Sequence, residues 1–503
     1  MKKNKFNTIL GITFATLVGK VLGIARDMLI SYHYGTTELT DAFFLALSIP
    51  TMLLGVFTAS TDSAIIPQYI RVKNERSKVE ADKNFASIIN TLAIIDIAVC
   101  FVIFIYPSLF VKIFAVGFGK ASMSIASDFL RIFAPIGVMH MLYCFFCTYN
   151  AAYEKNVARS ILAFLPNMLL VISLFFFPDD RLICLSISYV IVYILCVFIP
   201  ALEMRKLKYR HYWKINFNNP EYKHFWHLFI PIMGSALLAD IQQYVDKNLG
   251  SNIRGGISYL NYGNKIISIF DSVLVVGMGV VLLPMLAKKE NQSDDVGFVN
   301  IASKVTRYLL EVLTPCLGII LVLTVELITI LFGRGKFDDN SIYIVSKVMK
   351  VYSPLIVFMP LVAIFSKIFQ SKEMNKIPFK VNIISVLINV ILSILLKFHY
   401  GVVGIALATT IATGIEIFIY VVVISRKIGW DSKEINPKIL VKLCLPLIIS
   451  IGISYNIGIW IENIIIKIIV ESMTVFIIFI CWDYINLKED FFFWIGKIKN
   501  IMK

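Results

Sequence analysis

Long apolar stretches alternate along this chain with short polar connections. Fourteen can be drawn, at about residues 8–32, 39–69, 85–113, 123–152, 157–177, 182–203, 224–248, 256–287, 300–332, 341–370, 378–397, 400–425, 439–460 and 464–486. They are close to the ~20 residues that an α-helix needs to cross a bilayer, and none alternates with the period of two expected of a barrel strand. Backbone groups in hydrocarbon must be satisfied within their own segment, so such runs predict helices. The expected fold class is all-α: a polytopic membrane protein with about fourteen transmembrane helices.

Composition agrees. With 58% hydrophobic and 16% charged residues, the chain has too little polar surface to cover a soluble globule. The net charge of +15 raises the question of nucleic acid, which the placement of the basic residues answers. Connections on the N-terminal side carry Lys2, Lys3 and Lys5, then Arg71, Lys73, Arg76, Lys78 and Lys83, then Arg205, Lys206, Lys208, Arg210, Lys214 and Lys223, then Arg426, Lys427, Lys433 and Lys438. The opposite side has few, such as Lys120, Arg254 and Lys336. This is the positive-inside bias; it predicts both termini on the cytoplasmic side and contact with anionic lipid, not nucleic acid.

The basic start before an apolar run resembles a signal peptide. That run is too long, carries Lys20 and ends in no small-residue cleavage site, so an uncleaved first helix is expected. Cys144 and Cys147 enclose two phenylalanines in an apolar segment and read as packing, and His224 and His227 read as an interfacial pair. No phosphate loop, Ser/His/Asp set or metal-hydrolase motif is present, so the chain does not read as an enzyme.

The sequence repeats itself. Asn84, Ala86 and Ser87 recur as Asn300, Ala302 and Ser303, 216 residues on; Ile66 and Pro67 recur as Leu283 and Pro284, 217 on. Ser127, Arg131 and Pro135 recur as Ser346, Lys350 and Pro354, and Glu154 and Asn156 as Glu373 and Asn375, each 219 on. Six segments separate the copies, an even number, so the halves share one orientation and a pathway is expected where they meet. The expected division is a six-helix lobe at 1–215, a second at 216–430, and an extra helix pair with a cytoplasmic tail at 431–503.

Charges interrupt the first segment. Lys20, Gly23 and Asp27 fall within about 60° of one another on a helix, and Arg26 lies ~60° beyond Gly23. An ionisable group at that depth costs roughly 2.5–3.5 kcal/mol on insertion scales, so these residues should face a partner or a wet cavity rather than lipid. A snorkelling lysine beside an Arg26–Asp27 pair is the structural alternative.

Here the chain resembles a known family. Lys20 to Asp27 (KVLGIARD), Thr40 to Phe44 (TDAFF), Ile49 and Pro50, and Ile66 and Pro67 before a basic loop look like the N-terminal signature of the MurJ/MviN lipid II flippases. Val245 to Ser251, Tyr262 to Lys265 (YGNK) and Leu282 to Pro284 (LLP) resemble that family's seventh and eighth helices. The resemblance implies a flippase of the multidrug/oligosaccharidyl-lipid/polysaccharide exporter superfamily in the bacterial cytoplasmic membrane. It would hold a lipid-linked pyrophosphate sugar in a cationic cavity and bind its polyprenyl tail along the terminal helix pair. The partners implied are that lipid-linked oligosaccharide, membrane lipid and cell-wall synthesis proteins. Three departures stand out: Lys20 where the family usually has Arg, Asn264-Lys265 where it has Asp-Arg, and Leu54 and Gly55 where many members carry Arg. Lysine keeps the charge but loses the planar fork suited to phosphate. These departures leave open another lipid-linked glycan, such as a capsule, O-antigen or teichoic-acid precursor; a drug/cation antiporter should have a more apolar or acidic pocket.

The chemistry has its own logic. A pyrophosphate-linked sugar brings about two negative charges across ~30 Å of hydrocarbon and needs fixed cations along its path. Lys20, Arg26 and Lys265 are the expected cations, with Asn264 beside Lys265 and Asp41 as an acid that pairs with Arg26 in one state and releases it in another. Asp246, Asn389, Ser393 and Thr409 form a second, oxygen-bearing set suited to a hard cation. Some members of the resembled family place sodium between these helices; Na+ or H+ is the expected coupling ion, with no other cofactor. Helix-to-helix hydrogen bonding is the structural alternative for Asn389, Ser393 and Thr409.

Overall fold

The computed structural model describes residues 2–153, 155, 157–176, 182–269, 286, 289, 294–372, 374, 376–428 and 437–486. Glu154, Asn156, Glu373 and Asn375 of the repeat, the Leu282–Pro284 motif and the basic tail lie outside the described residues. Among the described residues all regular structure is helical, and every predicted segment contains at least one helix.

The helices are α1 Lys2–Tyr34, α2 Glu38–Glu75, α3 Lys78–Ile105, α4 Pro107–Phe114, α5 Lys120–Ala151, α6 Val157–Leu162, α7 Leu165–Phe176, α8 Ile183–Lys206, α9 Pro220–Gly250 and α10 Gly256–Gly263. They continue as α11 Asp295–Phe332, α12 Asp339–Tyr352, α13 Leu355–Ser371, α14 Lys376–Ile428, α15 Pro437–Gly458 and α16 Ile464–Asn486. Seven helical stretches among the described residues are long and apolar enough to cross a membrane, including Lys78–Ile105, Ile183–Lys206 and Asp295–Phe332. Three predicted segments are each built from two helices. Segment three breaks at Tyr106, where Pro107 opens α4, because proline suits the first position of a helix and not its interior. Segments eleven and twelve run together as α14 but reverse at Gly401 (φ 58°, ψ −134°), a conformation open to glycine and strained for other residues. Three residues on, a Cβ on Gly404 would lie 2.2 Å from the Leu396 carbonyl oxygen, so glycine also lets the two arms close.

The chain forms two compact units. The first comprises 1–262, 334–341 and 390–405; the second comprises 263–333, 342–389 and 406–503. In the first, α5 packs between α2, α3 and α8, while α1 lies along α6 and α7. Phe43 of α2 meets Phe129 and Phe133 of α5 and Tyr189 of α8 edge to face, the arrangement that ring quadrupoles favour. In the second unit, α11 packs against α13, α15 and α16. There Lys467 of α16 pairs with Glu326 of α11 at 2.6 Å.

At the end of α2, Gln68 and Arg71 donate to Glu221 in the first turn of α9, with Arg71 at 2.5 Å. Burial pushes this carboxyl up, but the hydrogen bonds from Gln68 and Arg71 and the charges of Arg71 and Arg76 outweigh it, holding Glu221 below the ordinary carboxylate range. The clamp fixes where α9 begins.

Candidate functional site: a caged arginine in the first unit

Glycine shapes the wall of the site. A Cβ on Gly19 of α1 would fall 2.0 Å from the Ala163 carbonyl oxygen, between α6 and α7, so only hydrogen fits there. One turn on, a Cβ at Gly23 would meet Asn167 of α7 at an ordinary 3.5 Å. Small residues four apart let α1 approach α7 at backbone distance. Asn167 uses that closeness: its Nδ2 donates to the Gly19 carbonyl at 2.9 Å, which turns its Oδ1 toward Arg26.

Arg26 is caged. Its Nε and Nη2 donate to Asp27 Oδ1 at 2.8 and 2.6 Å, and its Nη1 donates to Asn167 Oδ1 at 3.0 Å. The guanidinium carbon sits 5.7 Å from the centre of the Tyr189 ring. Side-chain exposure is 15% for Arg26 and 0% for Asp27, so the pair is shielded from solvent. A buried pair holds only where geometry and extra hydrogen bonds offset desolvation, and Asn167 and Tyr189 supply those here. The planar fork that grips a carboxylate fits two phosphate oxygens equally well.

Asp41 takes a different partner. Thr37 and Thr40 form a reciprocal capping box that starts α2 and sets Asp41 in its first turn. Asp41 Oδ1 accepts from the Ser258 backbone N–H at 2.7 Å and from its hydroxyl at 2.6 Å, while that hydroxyl lies 3.0 Å from Thr40 Oγ1. The carboxylate thereby caps the N-terminal turn of α10, where unsatisfied N–H groups favour negative charge. In this state Arg26 is paired with Asp27, and Asp41 with Ser258.

The remaining candidates are spread over both units. Lys20 is half-buried on α1; Lys265 is half-buried and Asn264 exposed in the turn after α10. In the second unit, Asn389 Nδ2 donates to Thr409 Oγ1 at 3.0 Å across the two arms of α14. Asn389 Oδ1 is buried without a hydrogen-bond partner; in the first unit Ser393 Oγ is buried in the same condition and Asp246 is buried on α9. Among the described residues no group of three or more His, Cys, Asp or Glu side chains has the arrangement of a metal site. The partners missed by sequence reasoning are Asn167, Tyr189 and Ser258. The first two lie more than 140 positions from Arg26, where no local pattern could reveal them.

Residues 30–477 match the family model described as lipid II flippase MurJ. A probable lipid II flippase MurJ of Buchnera aphidicola subsp. Schizaphis graminum is 24% identical over 431 residues, covering 83% of this chain and 82% of that protein. The lipid II flippase MurJ of Thermosipho africanus is 26% identical over 413 residues, covering 81% and 83%. Among solved structures, a lipid II flippase MurJ in an inward closed conformation superposes with a TM-score of 0.83 at 23% identity, covering 95% of this chain and 99% of the other. An inward-facing multidrug resistance MATE family transporter of the MOP superfamily gives a TM-score of 0.66 at 12% identity, covering 83% and 98%. With its helices arranged as in these membrane transporters and the family pattern running through nearly all of its length, the chain belongs to the lipid II flippase MurJ family.

Proposed function

We infer that this chain moves lipid II from the cytoplasmic to the outer leaflet by alternating access. The observation that carries the reading is the family match over residues 30–477. The caged arginine supports it chemically. In the resting arrangement Arg26 holds Asp27 and Asn167; on substrate entry the pyrophosphate replaces them, and on release Asp27 takes the fork back. Lys20 adds positive charge on α1, Lys265 and Asn264 are the substrate contacts proposed in the second unit, and Asp41, which caps α10 through Ser258, is the proposed acid of the set. The direct test is accumulation of lipid II on the cytoplasmic face after depletion of a host's own flippase, which this chain should prevent.

The same reading assigns lobes 1–215 and 216–430, a terminal helix pair at 431–503, and both termini to the cytoplasm. A cysteine introduced at Ser77 should then react with an impermeant thiol reagent only from the cytoplasmic side, and one at Asn340 only from outside. Reversal at either position contradicts the topology. Cell-wall synthesis proteins are the expected protein partners.

A coupling cation, Na+ or H+, fits the second set of residues. Asn389 Oδ1 and Ser393 Oγ are each a buried oxygen with no donor, the condition a hard cation relieves; Thr409 and Asp246 are the other oxygen-bearing residues of the proposed set. Purified protein should melt at higher temperature in sodium than in potassium buffer, and Asn389→Ala or Asp246→Ala should remove the difference. A sodium effect of full size in both variants eliminates this site.

A further inference from the structure

The apolar helix α3 carries one acid that the flippase reading does not use. Asp96 is 1% exposed, and both of its carboxyl oxygens are buried without a hydrogen-bond donor. Among the described residues it is the one acidic side chain with both oxygens in that condition. Its neighbours Ile94, Ile95 and Ile97 are exposed, so Asp96 is turned away from that apolar surface. The elements packed on α3 are α2, α4, α5 and α9. None of their described side chains brings a charge to Asp96, and the titratable neighbour is the buried Cys100, one turn along α3 itself.

An ionised carboxylate in such a setting has no compensation, and burying an unpaired charge is strongly unfavourable. The neutral acid fits better because it carries a hydroxyl that can donate to a backbone carbonyl. Thr91 on the same helix donates to the carbonyl four residues back, Ser87 O, at 3.0 Å. Polarity along α3 is also one-sided. Toward its N-terminal end the buried positions include Asp82, Asn84, Ser87 and Asn90. Asn90 precedes Asp96 by six residues, about 9 Å at a rise of 1.5 Å per residue. Beyond Asp96 the helix reads IAVCFVIFI, with Cys100 its one weakly polar side chain.

We propose that Asp96 is a proton-binding site of the first unit, loaded through the polar half of α3 and coupled to the transport cycle. The proton sits on the carboxyl while the surroundings are dry and leaves when a change of state hydrates the helix. No covalent step is involved; one H+ is bound and one released. Coupling rests on the flippase reading and entry from the cytoplasm on its topology, whereas proton binding depends on neither.

The test uses the full-length protein in lipid. Infrared spectra recorded across acidic to alkaline buffers should contain a protonated-carboxyl C=O stretch that vanishes in Asp96→Asn and shifts in Asp96→Glu. In proteoliposomes, an imposed pH gradient should change the rate of lipid II flipping by wild type and Asp96→Glu, while Asp96→Asn should flip at one rate with or without the gradient. Asparagine has nearly the same shape, and a melting curve verifies that the variant is folded. A carboxyl band that is identical in wild type and Asp96→Asn overturns the site. A wild-type response to the gradient in Asp96→Asn overturns the coupling. The spectrum needs no transport, so failure of the flippase reading would leave the proton site separately readable.

Discussion

Arg26→Ala is expected to abolish lipid II flipping while the protein remains inserted at normal levels. The guanidinium donates through all three of its nitrogens, to Asp27 and Asn167, and the same fork is the proposed grip on pyrophosphate. Each charge-assisted hydrogen bond contributes about 1.5–3 kcal/mol, roughly 10- to 150-fold in affinity. Alanine also leaves Asp27, at 0% exposure, without the guanidinium it faces. Loss of one partner of a buried pair costs about 3–5 kcal/mol, so folding must be separated from function. Arg26→Lys and the double variant Arg26→Ala/Asp27→Ala make the separation. The lysine variant keeps charge without the fork and should flip slowly; the double variant removes the orphaned acid and should fold but not flip. Outer-leaflet lipid II, measured against membrane protein level, is the readout. Normal flipping by Arg26→Ala would make the cage a structural device.

Gly19→Ala should have the second-largest effect, although it adds a single methyl group. That Cβ would lie 2.0 Å from the Ala163 carbonyl oxygen and 2.8 Å from its carbon. Both are backbone atoms, so α1 and α7 must separate rather than a side chain turn aside. Separation lengthens the Asn167–Gly19 hydrogen bond of 2.9 Å and with it the support that aims Asn167 at Arg26. The expected result is a lower melting temperature together with loss of flipping, with every charged residue unchanged. Gly23→Ala is the control, because its Cβ meets Asn167 at 3.5 Å and should be tolerated. Equal stability and activity in the two variants would contradict the packing argument.

What could be read from the sequence follows from which forces are local. Every apolar segment contains helix because length and apolarity leave the backbone no other way to satisfy its polar groups in lipid. Breaks inside segments were harder to foresee: Pro107 opens a helix at a position that hydropathy reads as continuous. Arg26 and Asp27 are visible as charges in an apolar run and are adjacent in sequence. Asn167 and Tyr189 are common residues in other apolar segments and become a cage only through close packing at Gly19. Asp41 illustrates a different difficulty. Its opposite charge suggests Arg26 as a partner in one state of the cycle; in the present state its partner is the N-terminal turn of α10 through Ser258, 217 positions away. Asp96 was hidden because one acid in a strongly apolar stretch leaves hydropathy almost unchanged, and its condition is defined by absent donors.

The departures at Lys20, Leu54 and Lys265 bear on which glycan is carried, so the decisive measurement compares substrates. Purified protein in sealed vesicles would receive lipid II or an undecaprenyl pyrophosphate bearing a different glycan in one leaflet, and its arrival in the other would be followed with an impermeant reagent that modifies the exposed sugar. Protein-dependent transfer of lipid II that disappears in Arg26→Ala is expected, with slower transfer of the other glycan. Transfer of the other glycan while lipid II stays in its original leaflet would contradict the lipid II reading.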